Sequence, residues 1–278
     1  MAAHTPGEPQ DRARQRRELT RTIQAEIIPR LMLAHRIEVN SEVVEANHAV
    51  QAPELDVSDF VRRLLEPHLT GAQSTIGDLR RHGVAIETIF LELMAPAAHL
   101  LGARWVNDEA SFTDVTVGLT HLQQLVYELA PSFGLEARRP ANGHHVVLQA
   151  APGEQHVFGL ILLEEFFRRE GWDVLGPAST SELDAVELVA DQYVAVLGFS
   201  VSDPRAVEPL QALIKKIRAA SVNPDLFIMV GGHCVLENPE LVAFLGADAT
   251  GRTAVEAVNT AQARLDELAR TALPSSEV

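Results

Sequence analysis

One short segment of the chain carries the residue types best suited to binding chemistry. It reads EQHVFG at residues 154–159, and it places Glu154 two residues before His156 and Gly159 three residues after it. Neutral imidazole is a good metal ligand, and its second ring nitrogen needs a carboxylate or carbonyl that fixes the tautomer. A histidine at the start of a helix is, by itself, most often a surface residue. The segment therefore indicates a binding site only in combination with the residues at the ends of the other predicted strands.

Small residues end the next two long apolar runs. Ser200 and Ser202 end one run, and Gly231 and Gly232 end the next. Each pair alone is ordinary turn chemistry. Because ligands bind at the carboxyl ends of the strands in an open parallel sheet, the small residues together predict a slot beside the histidine. No GxGxxG or P-loop pattern is found in residues 152–159, after the first predicted strand, which disfavours dinucleotide and P-loop nucleotide binding.

Beyond residue 143, short runs rich in β-branched residues alternate with helical patterns. The strands are predicted at 145–150, 172–176, 193–200, 226–232 and 247–250. The helices between and after them are predicted near 156–170, 182–191, 204–220, 236–245 and 252–271. This alternation, with strands apolar on both faces, predicts an α/β domain with a parallel, flavodoxin-like (Rossmann-type) sheet.

Before this domain, apolar residues recur at helical spacing, which predicts an all-α bundle. Ile23, Ile27 and Leu31 form the first stripe. A second helix is predicted to begin at a Ser58 cap, and a third to end or bend near Pro96. A fourth helix is predicted to stop at Pro131 and Gly134. The segment GLEARRPANG at 134–143 is the predicted linker.

Four regions follow from these patterns. They are a flexible basic arm at 1–19, a capping helical bundle at 20–138, the α/β domain at 143–272 and a tail at 273–278.

Composition excludes several function classes. The 278 residues carry a net charge of -15, which excludes nucleic-acid binding by bulk positive charge. No apolar run approaches the roughly 18 residues of a membrane span, and no apolar segment follows the basic N-terminal residues. These features predict a cytoplasmic protein without a membrane partner. Cys234 is the single cysteine, so a bound metal must be held by histidine, carboxylate or a cofactor.

The order His-x-x-Gly, Ser-x-Ser and Gly-Gly resembles the cobalamin-binding domain of methionine synthase, the corrinoid methyltransfer proteins and the light sensor CarH. The resemblance implies that His156 is the axial ligand to cobalt and that Glu154 holds its other ring nitrogen. It also implies that small residues line a slot for the displaced nucleotide tail, namely Gly159, Ser200, Ser202, Gly231, Gly232 and, at the far end, Thr250. The family has aspartate where Glu154 stands. The extra methylene of glutamate changes the geometry with which the carboxylate meets the His156 ring. A flavodoxin-like domain with another ligand is the alternative.

The helical half resembles the AerR/PpaA family of photosynthesis regulators, on the segments IQAEIIPRLMLAHR (23–36) and LGARWVNDEASFTDVTVGLTHLQQLVYEL (101–129). The resemblance implies a non-enzymatic antirepressor of a PpsR/CrtJ-type repressor, without sequence-specific DNA binding of its own. It further implies adenosylcobalamin in the dark state and hydroxocobalamin after light. Trp105 is then predicted to cover the upper face of the cofactor, and a core tryptophan is the alternative.

Other readings of the chain stay open. CarH-type sensors carry Glu-His where this chain has Val115 and Thr116, so their light-state ligand does not carry over. His99 and His121 are expected to be structural or exposed. A corrinoid methyl carrier and a heme-binding redox sensor are the alternative functions. Cys234 has no assigned role.

Overall fold

The computed structural model describes residues 55–137, 139–176 and 184–272. Within them a helical region precedes a five-stranded parallel sheet, so the predicted fold class is confirmed. The predicted arm and tail, and the apolar stripe at 23–31, lie outside the described residues.

Four helices form the described part of the bundle. They are α1 (Val57–Leu64), α2 (Thr70–Arg81), α3 (Ile86–Val106) and α4 (Phe112–Ala137). The cap of α1 differs from the predicted one. Asp56, and not Ser58, precedes the first turn, and its carboxylate accepts a hydrogen bond from the Asp59 N–H at 2.9 Å. A carboxylate at this position is a strong cap because it also complements the positive end of the helix dipole.

Helix α3 does not end at Pro96. Its residues Ile89–Met94 form a π-helical turn directly before the proline. In a regular α-helix the proline ring would meet the carbonyl of the residue four positions earlier, and here that residue lies in the wider turn. Within the described part of the chain, α3 is the single helix long and apolar enough to cross a membrane. Phe90 and Met94 are nonetheless fully buried, as expected for a core helix.

Helix α4 also runs further than predicted, because Pro131 and Gly134 lie inside it and not at its end. Pro131 removes one backbone hydrogen bond. Phe133, two residues later, is fully buried, and its packing stabilises the last turns of the helix. The predicted linker therefore begins inside a helix. Residues 139–144 connect the helix to the sheet without regular structure.

The sheet has the order β2-β1-β3-β4-β5, with every pair parallel. The strands are β1 (His145–Ala150), β2 (Asp173–Val174), β3 (Val196–Ser200), β4 (Phe227–Gly231) and β5 (Ala249–Thr250). All five predicted strands are present, and four are shorter than predicted. This strand order reverses between β1 and β3, and the loops after these two strands therefore flank the switch point.

Helices cover both faces of the sheet. They are α5 (Phe158–Arg169), α6 (Ala185–Asp191), α7 (Val207–Ala220), α8 (His233–Glu237), α9 (Leu241–Leu245) and α10 (Ala254–Ala272), with a 3₁₀ turn at Pro204–Ala206. The single helix predicted at 236–245 is two short ones. They are separated at Asn238 and Pro239, where the residue before a proline disfavours helical geometry.

The bundle and the sheet share one hydrophobic core. Helix α4 packs on α5, where Phe133 lies edge-on to Phe166 with ring centroids 4.9 Å apart. Phe90 on α3 contacts the same Phe133 ring at 5.0 Å. An ion pair between Glu87 and Arg169 joins α3 to the end of α5. The position of α5 relative to the bundle is therefore set by apolar packing.

Candidate functional site

Three loops meet at the carboxyl edge of the sheet and are joined by backbone hydrogen bonds. The Ala151 N–H donates to the Ser200 carbonyl at 2.8 Å, which ties the β1 loop to β3. The Val201 N–H donates to the Gly231 carbonyl at 2.9 Å, and the Cys234 N–H donates to the Val201 carbonyl at 3.2 Å. The predicted strand-end residues of β1, β3 and β4 are thus brought together.

His156 and Glu154 make the contact that the sequence predicted. The Nδ1 atom of His156 lies 2.5 Å from Oε1 of Glu154. The histidine side chain is 70% exposed and the carboxylate only 2% exposed. Because the carboxylate holds Nδ1, the Nε2 atom is the ring nitrogen directed to a ligand. The longer side chain of glutamate therefore preserves the relay geometry.

The second oxygen of Glu154 is held by the loop after β3. Its Oε2 atom accepts hydrogen bonds from the N–H groups of Ser202 at 2.7 Å and Asp203 at 2.8 Å. Burial raises the pKa of this carboxyl, but the His156 ring and the two N–H groups outweigh burial and leave the pKa below its usual value. Glu154 is therefore an ionised, oriented hydrogen-bond acceptor.

Two further residues fit a cofactor tail that enters beside the sheet. A methyl group built on Gly159 would meet no atom within 4 Å, so the start of α5 borders open space. Thr250, at the end of β5, has a buried hydroxyl without a hydrogen-bond partner in the described residues. A buried polar group of this kind calls for a missing partner. The slot at Gly159 and Thr250 stays a prediction.

The two glycines after β4 differ in the space around them. Gly232 has a φ of +94°, and a Cβ on it would lie 2.5 Å from the Val201 carbonyl oxygen. Gly232 is thus required by the close approach of the β3 and β4 loops. Gly231 has more room, because the nearest atom to an added Cβ is the Gly251 carbonyl oxygen at 3.7 Å.

Sequence reasoning missed the residues that follow Ser202. The Asp203 carboxylate caps the 3₁₀ turn by accepting from the Arg205 N–H at 2.9 Å. It also forms an ion pair with the Arg205 guanidinium at 2.6 Å, and Arg205 lowers the Asp203 pKa to about 2. An aspartate directly before Pro204 is a recognisable capping signal, and it could have found this turn.

The bundle residues singled out from the sequence lie apart from this network of bonds. Trp105 is 49% exposed at the end of α3, which excludes the core-tryptophan alternative. His121 has a structural contact, since its Nδ1 atom lies 2.8 Å from the Leu64 carbonyl oxygen, and His99 is exposed. Cys234 is buried, and burial together with the negative charges of nearby carboxylates raises the pKa of its thiol.

A family model matches the sheet domain. Residues 144–259, which are less than half of the chain, match the model of the B12 binding domain. The match supports the predicted cobalamin binding, at the level of the cofactor class.

Two similar proteins extend the comparison beyond this domain. An uncharacterized 20.5 kDa protein in the bchF-crtJ intergenic region of Rhodobacter capsulatus is 28% identical over 171 residues, which are 62% of this chain and 88% of the relative. With the B12-binding match, it supports the predicted resemblance to the AerR/PpaA family. The monomethylamine corrinoid protein of Methanosarcina barkeri is similar in fold, with a TM-score of 0.63 and 16% identity over 74% of this chain and 96% of the other.

Proposed function

We propose that this protein is a cytoplasmic, light-responsive transcriptional regulator that binds adenosylcobalamin and relieves repression by a PpsR/CrtJ-type repressor. The observation that carries the proposal is the exposed His156 ring, oriented by the buried Glu154 carboxylate at the carboxyl edge of a B12-binding domain. The regulatory role rests on the resemblance of residues 101–129 to the AerR/PpaA family, and the relative in the bchF-crtJ intergenic region is consistent with it.

In this proposal the protein positions the cofactor and takes no catalytic part. His156 would hold cobalt through Nε2, while Glu154 holds Nδ1 and keeps that nitrogen protonated. Gly159 and Thr250 would accommodate the nucleotide tail, and Ser200, Ser202 and Gly231 would line the path to it. When bound, adenosylcobalamin would supply a cobalt-carbon bond that light breaks.

Trp105 is the proposed cover for the upper face of the corrin. A half-exposed indole has free aromatic surface to pack on a ligand, in contrast to the buried Trp172 of the sheet domain. Removal of the adenosyl group would change the surroundings of this ring. The bundle surface next to it is then the proposed contact for the repressor, and the net charge of -15 fits a protein that acts on a DNA-binding partner and not on DNA.

The first test is an absorption spectrum of the protein loaded with adenosylcobalamin in the dark, before and after green light. In the presence of oxygen, we expect a photoproduct spectrum of hydroxocobalamin for the parent, and loss of the histidine-bound spectrum for His156→Ala. His82→Ala, which removes an exposed histidine of the bundle, is the matched control. Binding and photoconversion of His156→Ala like the parent would exclude the axial role.

A DNA mobility-shift assay with a PpsR/CrtJ-type repressor tests the partner. The loaded protein is added in the dark and after illumination, and the fraction of repressor-bound DNA should differ between the two states. No effect on the repressor in either state would contradict the regulatory role.

A corrinoid methyl carrier is the second candidate, and it is favoured by the fold shared with the monomethylamine corrinoid protein. It predicts transfer of a methyl group from the loaded protein to the substrate of a partner methyltransferase, in the dark and in the light. A heme-binding sensor predicts instead a Soret band without corrin bands in the purified protein.

A further inference from the structure

An ion pair lies one step beyond the residues that orient His156. The guanidinium of Arg205 contacts both carboxylate oxygens of Asp203, with Nε at 3.0 Å from each and Nη2 at 2.6 Å from Oδ2. Arg205 is 89% exposed, so this pair forms no part of the hydrophobic core. A two-point contact of this kind fixes the orientation of both side chains better than a single hydrogen bond does.

The same short loop holds Glu154. The N–H of Asp203 donates to Glu154 Oε2, and the Asp203 side chain receives Arg205. The conformation of the loop therefore decides whether the N–H groups of Ser202 and Asp203 point at the Glu154 carboxylate. A continuous series of contacts runs from Arg205 through Asp203 and the loop backbone to Glu154.

Arg205 is the basic side chain that pairs with Asp203 in this loop. Both carboxylates of the network act on it, since the Asp203 hydrogen bond and, more weakly, the Glu154 charge raise the arginine pKa. Removal of the guanidinium leaves the Asp203 carboxylate without this partner, and the loop loses a contact that fixes its conformation.

We propose that Arg205 is a positioning residue that, through Asp203 and the loop after β3, keeps Glu154 oriented toward His156 and so favours the histidine-bound state of cobalt. The inference rests on the proposed function, because it takes His156 as the lower axial ligand. The described contacts of Arg205 are with Asp203, so its effect on His156 is indirect.

The test is the electron paramagnetic resonance spectrum of full-length protein loaded with cob(II)alamin. Labelling the protein histidines with ¹⁵N changes the nitrogen splitting only if the axial nitrogen comes from histidine and not from the cofactor's own base. We expect this change in the parent and a smaller histidine-bound fraction in Arg205→Ala. The dissociation constant for cob(II)alamin should rise about twofold to fivefold, the range that exposed ion pairs span.

Three variants control this experiment. Arg264→Ala removes an exposed ion pair with Glu267 on α10 and should leave the spectrum and the affinity unchanged. Asp203→Asn retains the capping oxygen and removes the ion pair, so it should reproduce the partial loss. Arg205→Lys retains the charge without the two-point contact, so it should give an intermediate fraction.

The outcomes separate the inference from the proposed function. If the parent shows histidine nitrogen on cobalt and both Arg205→Ala and Asp203→Asn match the parent, the positioning role of Arg205 is wrong and the axial role of His156 stands. If the parent shows no histidine nitrogen, the axial role fails and the inference fails with it.

Discussion

The two ends of helix α5 are built in opposite ways. At its last turn, Phe166 packs edge-on against Phe133 of the bundle, and Arg169 lies over the same ring at 4.5 Å. At its first turn, Gly159 is exposed and borders open space, and His156 lies just before the helix with most of its ring in solvent. One end is filled by the protein's own side chains, and the other leaves room for a ligand.

The last turn of α5 therefore contributes to stability, and the region around its first turn contributes to binding. Apolar burial holds the last turn without any ligand, because aromatic rings of two domains fill the space. The loop before the first turn is held by polar contacts of Glu154, whose donors include backbone N–H groups that any residue but proline could supply. Substitutions at the two ends should therefore act on different measured quantities.

Phe133→Ala is expected to have the largest effect on stability. It removes a fully buried ring that contacts both Phe90 and Phe166, and such losses cost about 3–5 kcal/mol in the free energy of unfolding. Leu135→Ala, on an exposed side chain of the same helix, should stay within about 0.5 kcal/mol of the parent. Chemical denaturation measures both. Equal losses in the two variants would contradict an anchoring role for the aromatic cluster.

Gly159→Leu is expected to act on binding and not on folding. A leucine side chain would occupy the open space at the start of α5, so the dissociation constant for cobalamin should rise at least about tenfold, or about 1.4 kcal/mol. Binding of cobinamide, which lacks the nucleotide tail, should change little. Titration followed by absorbance measures both ligands.

Gly134→Leu is the matched control for this substitution. Gly134 is also a helical glycine with nothing within 4 Å of an added Cβ, but it lies on α4. Neither variant should unfold the protein, since leucine favours a helix over glycine by up to about 1 kcal/mol. If Gly134→Leu lost as much cobalamin affinity as Gly159→Leu, a slot at Gly159 would not explain the loss.

Glu87→Gln is expected to have the smallest effect. It breaks the ion pair with Arg169, and a partly exposed pair contributes at most about 1 kcal/mol to the free energy of unfolding. The arginine keeps its position over Phe133, so the packing of α5 on the bundle should persist. Glu92→Gln, on an exposed residue of the same helix, is the control for charge alone. A loss as large as that of Phe133→Ala would mean that the ion pair, and not the rings, anchors α5.

Much of the fold could be predicted because its signals are local. The strand β1 begins and ends as predicted, since its β-branched and apolar run lies between Asn142-Gly143 and Pro152-Gly153, which are turn residues. Helix ends were predicted less well. Pro131 and Gly134 are helix breakers by propensity, but the burial of Phe133 overrides that preference, and no local pattern reports it.

The candidate site divides in the same way. The pairing of Glu154 with His156 was predictable, because the two residues are neighbours in sequence and their chemistry is complementary. The loop that completes it was not, because the N–H groups of Ser202 and Asp203 lie 48 and 49 residues from Glu154. Every residue except proline has a backbone N–H, so the amino-acid types do not show which N–H groups will bind Glu154.

The sequence by itself determined the alternation of strands and helices, the residue types at the strand ends and the pairing of a histidine with a carboxylate. These features depend on periodicity and on spacing within a few residues. Only the tertiary structure decided how Glu154 is held, that Gly232 meets the Val201 backbone, and that α5 is anchored at one end and open at the other. The reason is that those properties come from contacts between distant segments, which form only when the sheet and the bundle pack together.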